Sequence, residues 1–227
     1  MSEDEPHRES REVSTSQSAP LTVLAFECAL SPIAGVLGAA LDCSPIRSIA
    51  EGATGWRDDV AAVAWGVAAA LPPLAGLWWS RRAPFEPLRK LQQLVNRLIV
   101  PLFARCRLWE LALISLFAGL GEELLFRGLM QDFLAEWCGD RWGGSVGLAF
   151  AIVLSSLTFG LLHALSRTYF FLATAMSIYL GVLHATVGNV LAPAAAHAVY
   201  DFAALAIFIR AAGASAAAHD SRRGTQS

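Results

Sequence analysis

The stretch Gly121-Glu122-Glu123-Leu124-Leu125-Phe126-Arg127-Gly128 sets three charges inside a long, largely apolar run from Leu108 to Met130. A run of that length spans a bilayer as a helix, and an ionisable side chain at membrane depth costs at least about 2.5 kcal/mol. Such groups are normally paired, turned into the bundle and tied to function. On a helix Glu123 and Arg127 lie four residues apart and neutralise each other. Glu122 points about 100° away, with no partner on its own helix. Either the three form a structural ion-pair knot, or another helix supplies what Glu122 requires.

The rest of the chain is equally apolar. Of its 227 residues 55% are hydrophobic and 16% charged, and the mean hydropathy is +0.48. This composition reads as an all-α, polytopic transmembrane helix bundle. A net charge of −2, with no basic surface interleaved with aromatics, excludes a nucleic-acid partner. Cys28, Cys43, Cys106 and Cys138 stand singly, so neither a zinc knuckle nor a dithiol redox site is indicated.

Hydropathy predicts about six spanning helices plus one interfacial amphipathic helix. The spans are Leu21–Leu41, Val60–Trp79 with a kink at Pro72-Pro73, the Glu-Glu helix, Gly144–Leu165, Tyr169–Val187 and Val190–Ala211. Between Ser80 and Arg107, basic residues alternate with leucines at three-to-four spacing, the pattern of a helix lying in the membrane interface. Residues 1–20 are polar and read as a disordered cytoplasmic tail without signal-peptide features. Residues 21–211 form a single domain with its functional core at about 108–211, and 212–227 read as a frayed tail. Placing the basic loop inside puts thirteen cationic residues on the cytoplasmic side against Arg47, Arg57 and Arg141 outside, so both termini are expected in the cytoplasm.

Other costly polar groups recur in the later spans. His163 lies on the fourth, and His197 and Asp201 share one face of the sixth, four residues apart. Groups on three helices satisfy one another only by meeting inside the bundle. Glu27, near the start of the first span, reads as structural or interfacial, able to snorkel. His184, on the fifth, reads as a packing residue.

These residues resemble the CAAX protease and bacteriocin-processing family of intramembrane endopeptidases, also called the Abi family. Its three motifs match Glu122-Glu123-Leu124-Leu125-Phe126-Arg127, Phe159 to His163, and His197 to Asp201, and Gly188-Asn189-Val190-Leu191-Ala192-Pro193 is also similar. The resemblance covers roughly Leu111 to Phe202, and the small size is similar to the family's myxosortase branch, proposed to cleave C-terminal sorting segments of surface proteins. It implies hydrolysis of a membrane-anchored protein or peptide, with Glu122 and His163 activating the attacking water and His197 stabilising the oxyanion. Glu123, Arg127 and Phe159 have supporting roles. Where prenyl-protein-processing members carry asparagine this chain has Asp201, so that residue is protonated, orients His197 or binds a metal. The arginine and alanine bias suggests a GC-rich bacterial source, hence the bacterial inner membrane.

Alternatives stay open at this level. Glu122, His163 and His197 also make a zinc ligand set with a position left for water; HExxH is absent, and the resemblance favours a water activated without an obligatory metal. The same groups suit a proton or ion pathway in a transporter, and a non-catalytic immunity or scaffold protein would use none of them. One geometric conflict also stands. Straight helices with these boundaries put Glu122 and His197 about a third of the way in from the outer face and His163 near the inner face, so a shifted or broken helix is required if the three are to meet.

Overall fold

The computed structural model describes residues 5–47 and 55–224, with side chains described for 20–47 and 55–214. Every element among them is helical: α1 (Glu5–Ala40), α2 (Trp56–Ala69), α3 (Leu71–Ser80), α4 (Glu86–Leu98), α5 (Val100–Phe103), α6 (Leu108–Glu123), a π-helical segment (Leu124–Gln131), α7 (Asp132–Trp142), α8 (Gly144–Leu162), α9 (Arg167–Val187) and α10 (Leu191–Gly224). Large apolar side chains such as Leu116, Val153, Leu157, Phe171 and Val182 are exposed, while Glu122, Glu123 and Arg127 are buried. That inversion of the soluble pattern is what a membrane bundle requires.

Among the described residues five helices are long and apolar enough to cross a membrane: Pro20–Ala40, Trp56–Ser80, Gly144–Leu162, Arg167–Val187 and Leu191–Ala214. The expected kink in the second of them is present. The helix breaks at Ala70, and Pro72 and Pro73 fall in the first turn of α3, where a missing N–H costs nothing. Helix α1 begins at Glu5 and α10 runs on to Gly224.

The Glu-Glu helix departs most. In place of one span ending at Met130, α6, the π segment and α7 follow one another without a break, at 16, 8 and 11 residues. At 1.5 Å per residue they reach about 50 Å. Helix α8 has 19 residues, about 28 Å, and ends at Leu162 rather than Leu165. It folds back along this long element: Gly147 abuts Gly139 at one end, and Phe159 meets Phe126 towards the other. The lower end of α8 therefore comes level with Glu122, well short of Leu108. That stagger removes the conflict between His163 and the other two residues.

The basic loop forms α4 and the short α5. Leu88, Leu91, Leu94 and Val95 of α4 are half-buried and Arg89, Lys90 and Arg97 exposed, as an interfacial helix demands. Arg89 donates to Glu86 at 2.5 Å, and this bond holds the Glu86 carboxyl below its ordinary range.

Lipid tails are as apolar as leucine, so close backbone approach rather than hydrophobic burial holds such helices together. Gly119 is the clearest case: a Cβ there would stand 2.7 Å from the Ala194 carbonyl oxygen and 2.8 Å from the Ala198 nitrogen of α10. Both atoms are backbone, so the helix as a whole must move. Gly119→Ala is therefore expected to cost roughly 1–3 kcal/mol and to carry His197 away from α6. Thermal unfolding in detergent checks the first effect; an unchanged midpoint would show that the contact is slack.

Candidate active site

Each polar side chain of the site is set by a local feature of the backbone. Glu122 and Glu123 end α6, immediately before the π segment that carries Arg127. Single π turns inside helices recur at functional sites because they re-aim side chains. His163 is the cap residue that terminates α8, with φ −100° and ψ 11°. Three residues later α9 begins, where Ser166 Oγ accepts the Tyr169 N–H at 3.1 Å.

The stretch Gly188 to Pro193 delivers His197. Gly188 closes α9 at φ 72°, the left-handed conformation a glycine adopts without strain. Asn189 Oδ1 then accepts the Leu191 N–H at 2.9 Å, and its Nδ2 donates to Asp59 at 2.9 Å. Pro193 lies in the first turn of α10, and His197 follows one turn later.

Glu123 is the hub of the buried network. It is 0% exposed, its Oε1 accepts from Arg127 Nη1 at 3.0 Å and from His197 Nδ1 at 2.8 Å, and its Oε2 lies 3.0 Å from Arg127 Nε. Arg127, 1% exposed, also donates from Nη2 to the carbonyl oxygen and to Oγ of Ser177, both at 2.9 Å. Farther along, Gln131 donates to the Gly181 carbonyl at 3.0 Å and Asp132 pairs with His184 at 2.9 Å. Three rungs thus tie the π segment and the start of α7 to α9. His184 belongs to this ladder, in keeping with a packing role.

Glu122 stands apart from that network. Its Oε1 lies 3.6 Å from His163 Nε2 and its Oε2 3.8 Å from His197 Nε2, and Oε2 has no hydrogen-bond partner. These separations are too long for direct hydrogen bonds and suit one small bridging group. His163 Nδ1 lies 2.9 Å from the Phe159 carbonyl oxygen. A carbonyl only accepts, so Nδ1 carries the proton and Nε2 of the neutral ring presents its lone pair towards Glu122. Phe159 stacks under that ring at 4.1 Å, meets Phe126 edge-on at 5.0 Å and lies 5.4 Å from the Arg127 guanidinium. Asp201 Oδ2 is 3.5 Å from His197 Nε2, so it faces the ring nitrogen that Glu123 does not hold.

All seven residues singled out in the sequence therefore meet: Glu122, Glu123, Arg127, Phe159, His163, His197 and Asp201. Among the described residues no group of three His, Cys, Asp or Glu side chains is arranged around a common metal position.

Sequence reasoning missed two participants. Ser177 anchors Arg127, and its only sequence signal is its small-residue spacing with Gly181 on α9. Glu27 does not snorkel. It is 9% exposed, its Oε2 is buried without a partner, and Glu122, Asp201, His197 and His163 act on it electrostatically.

Residues 104–203 match the family model described as type II CAAX prenyl endopeptidase, Rce1-like. No curated protein and no solved structure matches the chain. The matched segment holds Glu122, His163, His197 and Asp201 together with the network beneath them, and over these residues this multi-pass membrane protein is similar to the Rce1-like family of CAAX-type endopeptidases.

Proposed function

We propose that the protein hydrolyses a peptide bond of a membrane-anchored protein or peptide by means of a water that Glu122 and His163 activate. The observation that carries this reading is the position of Glu122 between two histidine Nε2 atoms, at 3.6 and 3.8 Å, with a buried carboxylate oxygen that nothing in the fold uses. A water between Glu122 and His163 gives a proton to Glu122 and a hydrogen bond to the His163 lone pair, then attacks the carbonyl carbon. The oxyanion needs a donor. His197 gives its Nδ1–H to Glu123, so it donates from Nε2 only as the doubly protonated ring, and Glu122, Glu123 and Asp201 around it supply the counter-charge. Asp201 orients that ring and is not itself an oxyanion donor. Glu122 returns its proton to the leaving nitrogen, and the C–N bond breaks.

The setting is the bacterial inner membrane with both termini in the cytoplasm, the lipid bilayer as a partner and no nucleic acid. No cofactor is required. The purified protein in proteoliposomes is expected to cleave one of two quenched fluorogenic peptides. One ends in a farnesylated CAAX tail, and the other ends in a plain apolar segment such as a sorting tail. His163→Ala should reduce cleavage about 10²-fold or more, with the melting profile retained. Failure of wild type on both peptides, or full activity in His163→Ala, would sink the reading. Treatment with 1,10-phenanthroline should leave the rate within about twofold, whereas loss that zinc restores would return the site to metal-assisted hydrolysis.

A further inference from the structure

Glu27 lies on α1, outside the matched segment, yet the charged residues of the site act on it. Its helix is held against α6 where Gly121 lacks a side chain: a Cβ there would come within 2.8 Å of the Glu27 carbonyl oxygen. The backbone at Glu27 is therefore fixed beside the residue that precedes Glu122. Glu27 is more than nine-tenths buried, and Oε2 meets no donor from the protein. The groups that act on it are Glu122 from α6, His163 from α8, and His197 and Asp201 from α10. Three carboxyls and two histidines thus act on one another electrostatically, and the guanidinium of Arg127 is already committed to Glu123 and Ser177. A carboxyl so placed costs several kcal/mol unless a ligand answers it.

We propose that Glu27, with Asp201, forms the subsite for the amine half of the cleaved peptide, receiving the nitrogen that leaves as a cationic ammonium. The inference rests on the hydrolytic reading, which makes such a cation. Water oxygen bonds to the carbonyl carbon, the C–N bond breaks, one water proton reaches the nitrogen by way of Glu122, and the new carboxylic acid gives up its proton as the free amine takes one. At neutral pH that α-amine is largely protonated. Inside the membrane it needs a counter-charge until it escapes, and Glu27 supplies one without competing for Glu123. The chemical class bound is an apolar peptide with a free N-terminal amine.

The test is binding to the full-length protein in lipid nanodiscs, measured by calorimetry, with the tripeptide Leu-Leu-Ser-amide and its N-acetyl form as probes. The free amine should bind at least about tenfold more tightly than the acetylated form. Glu27→Gln should bring that ratio below about twofold, Glu27→Asp should keep most of it, and Glu122→Ala should leave it in place while cleavage is lost. Equal binding of the two probes to wild type, or a preference that survives Glu27→Gln, overturns the subsite. If Glu27→Gln does not fold, the wild-type ratio and its loss in Asp201→Asn decide. A wild type that cleaves normally but lacks the amine preference removes this subsite alone; a wild type that cleaves neither fluorogenic peptide removes the hydrolytic reading.

Discussion

Glu122→Gln is expected to lower the cleavage rate by about 10²–10⁴-fold and to leave the protein at least as stable as wild type. The two effects have one origin. Glu122 is 8% exposed, its Oε2 bonds to nothing, and its contacts with His163 and His197 exceed hydrogen-bond length. The amide has the same shape, removes an unpaired buried carboxylate and breaks no hydrogen bond of the fold, while Glu123 and Asp201 remain as counter-charge for His197. Sites that hold such a group for chemistry commonly gain stability when it is removed. The amide cannot take a proton from water, so the gain comes with loss of turnover. Parallel measurements of initial rate and thermal midpoint check both halves. A structural ion-pair knot predicts the reverse, with lower stability and any activity preserved; that result would falsify the catalytic assignment of Glu122.

The contrast between Glu122 and Glu123 marks how far the sequence could be read. Intramembrane charge is costly enough that Glu122, Glu123, Arg127, His163, His197 and Asp201 announce themselves without a structure, and all of them meet. The pairing of Glu123 with Arg127 follows from helical spacing alone. That His197 binds the same carboxylate does not, because it depends on how α10 approaches at Gly119. The boundary error had a specific cause. Hydropathy ends a span where polar residues begin, at Gln131 and Asp132, but there those side chains turn inward to Gly181 and His184, so the helix continues to Trp142. The π segment carries no compositional signal at all, since Leu124 to Gln131 would read equally well as an α-helix. Glu27 was misplaced for a related reason: distance from a helix end suggests snorkelling, but only the neighbouring helix decides whether the side chain can reach water.

Arg127→Met is expected to destabilise the fold by about 3–5 kcal/mol, because it leaves the Glu123 carboxylate buried and unmatched. Arg127 is 1% exposed and Glu123 0% exposed, and the arginine also carries the tie to Ser177 on α9. Glu123→Leu should cost a similar amount by stranding the guanidinium. The double variant removes both charges and replaces them with apolar groups of similar bulk, so most of the loss should return, leaving a deficit from the missing Ser177 bonds. Activity should not return with it. His197 Nδ1 has lost its acceptor in Glu123→Leu whether or not Arg127 is present, and a ring free to rotate no longer presents Nε2 to the reaction centre; about 10²-fold loss is the scale for such misplacement. Reversible unfolding in mixed micelles, paired with rates on the fluorogenic peptide, separates the two. If the double variant recovers both stability and cleavage, Glu123 serves only as a counter-ion to Arg127. Recovery of stability alone makes it the link between the buried ion pair and His197, which explains why two adjacent glutamates are needed at the end of one helix: one carboxylate holds the histidine, and its neighbour is left free to meet the water.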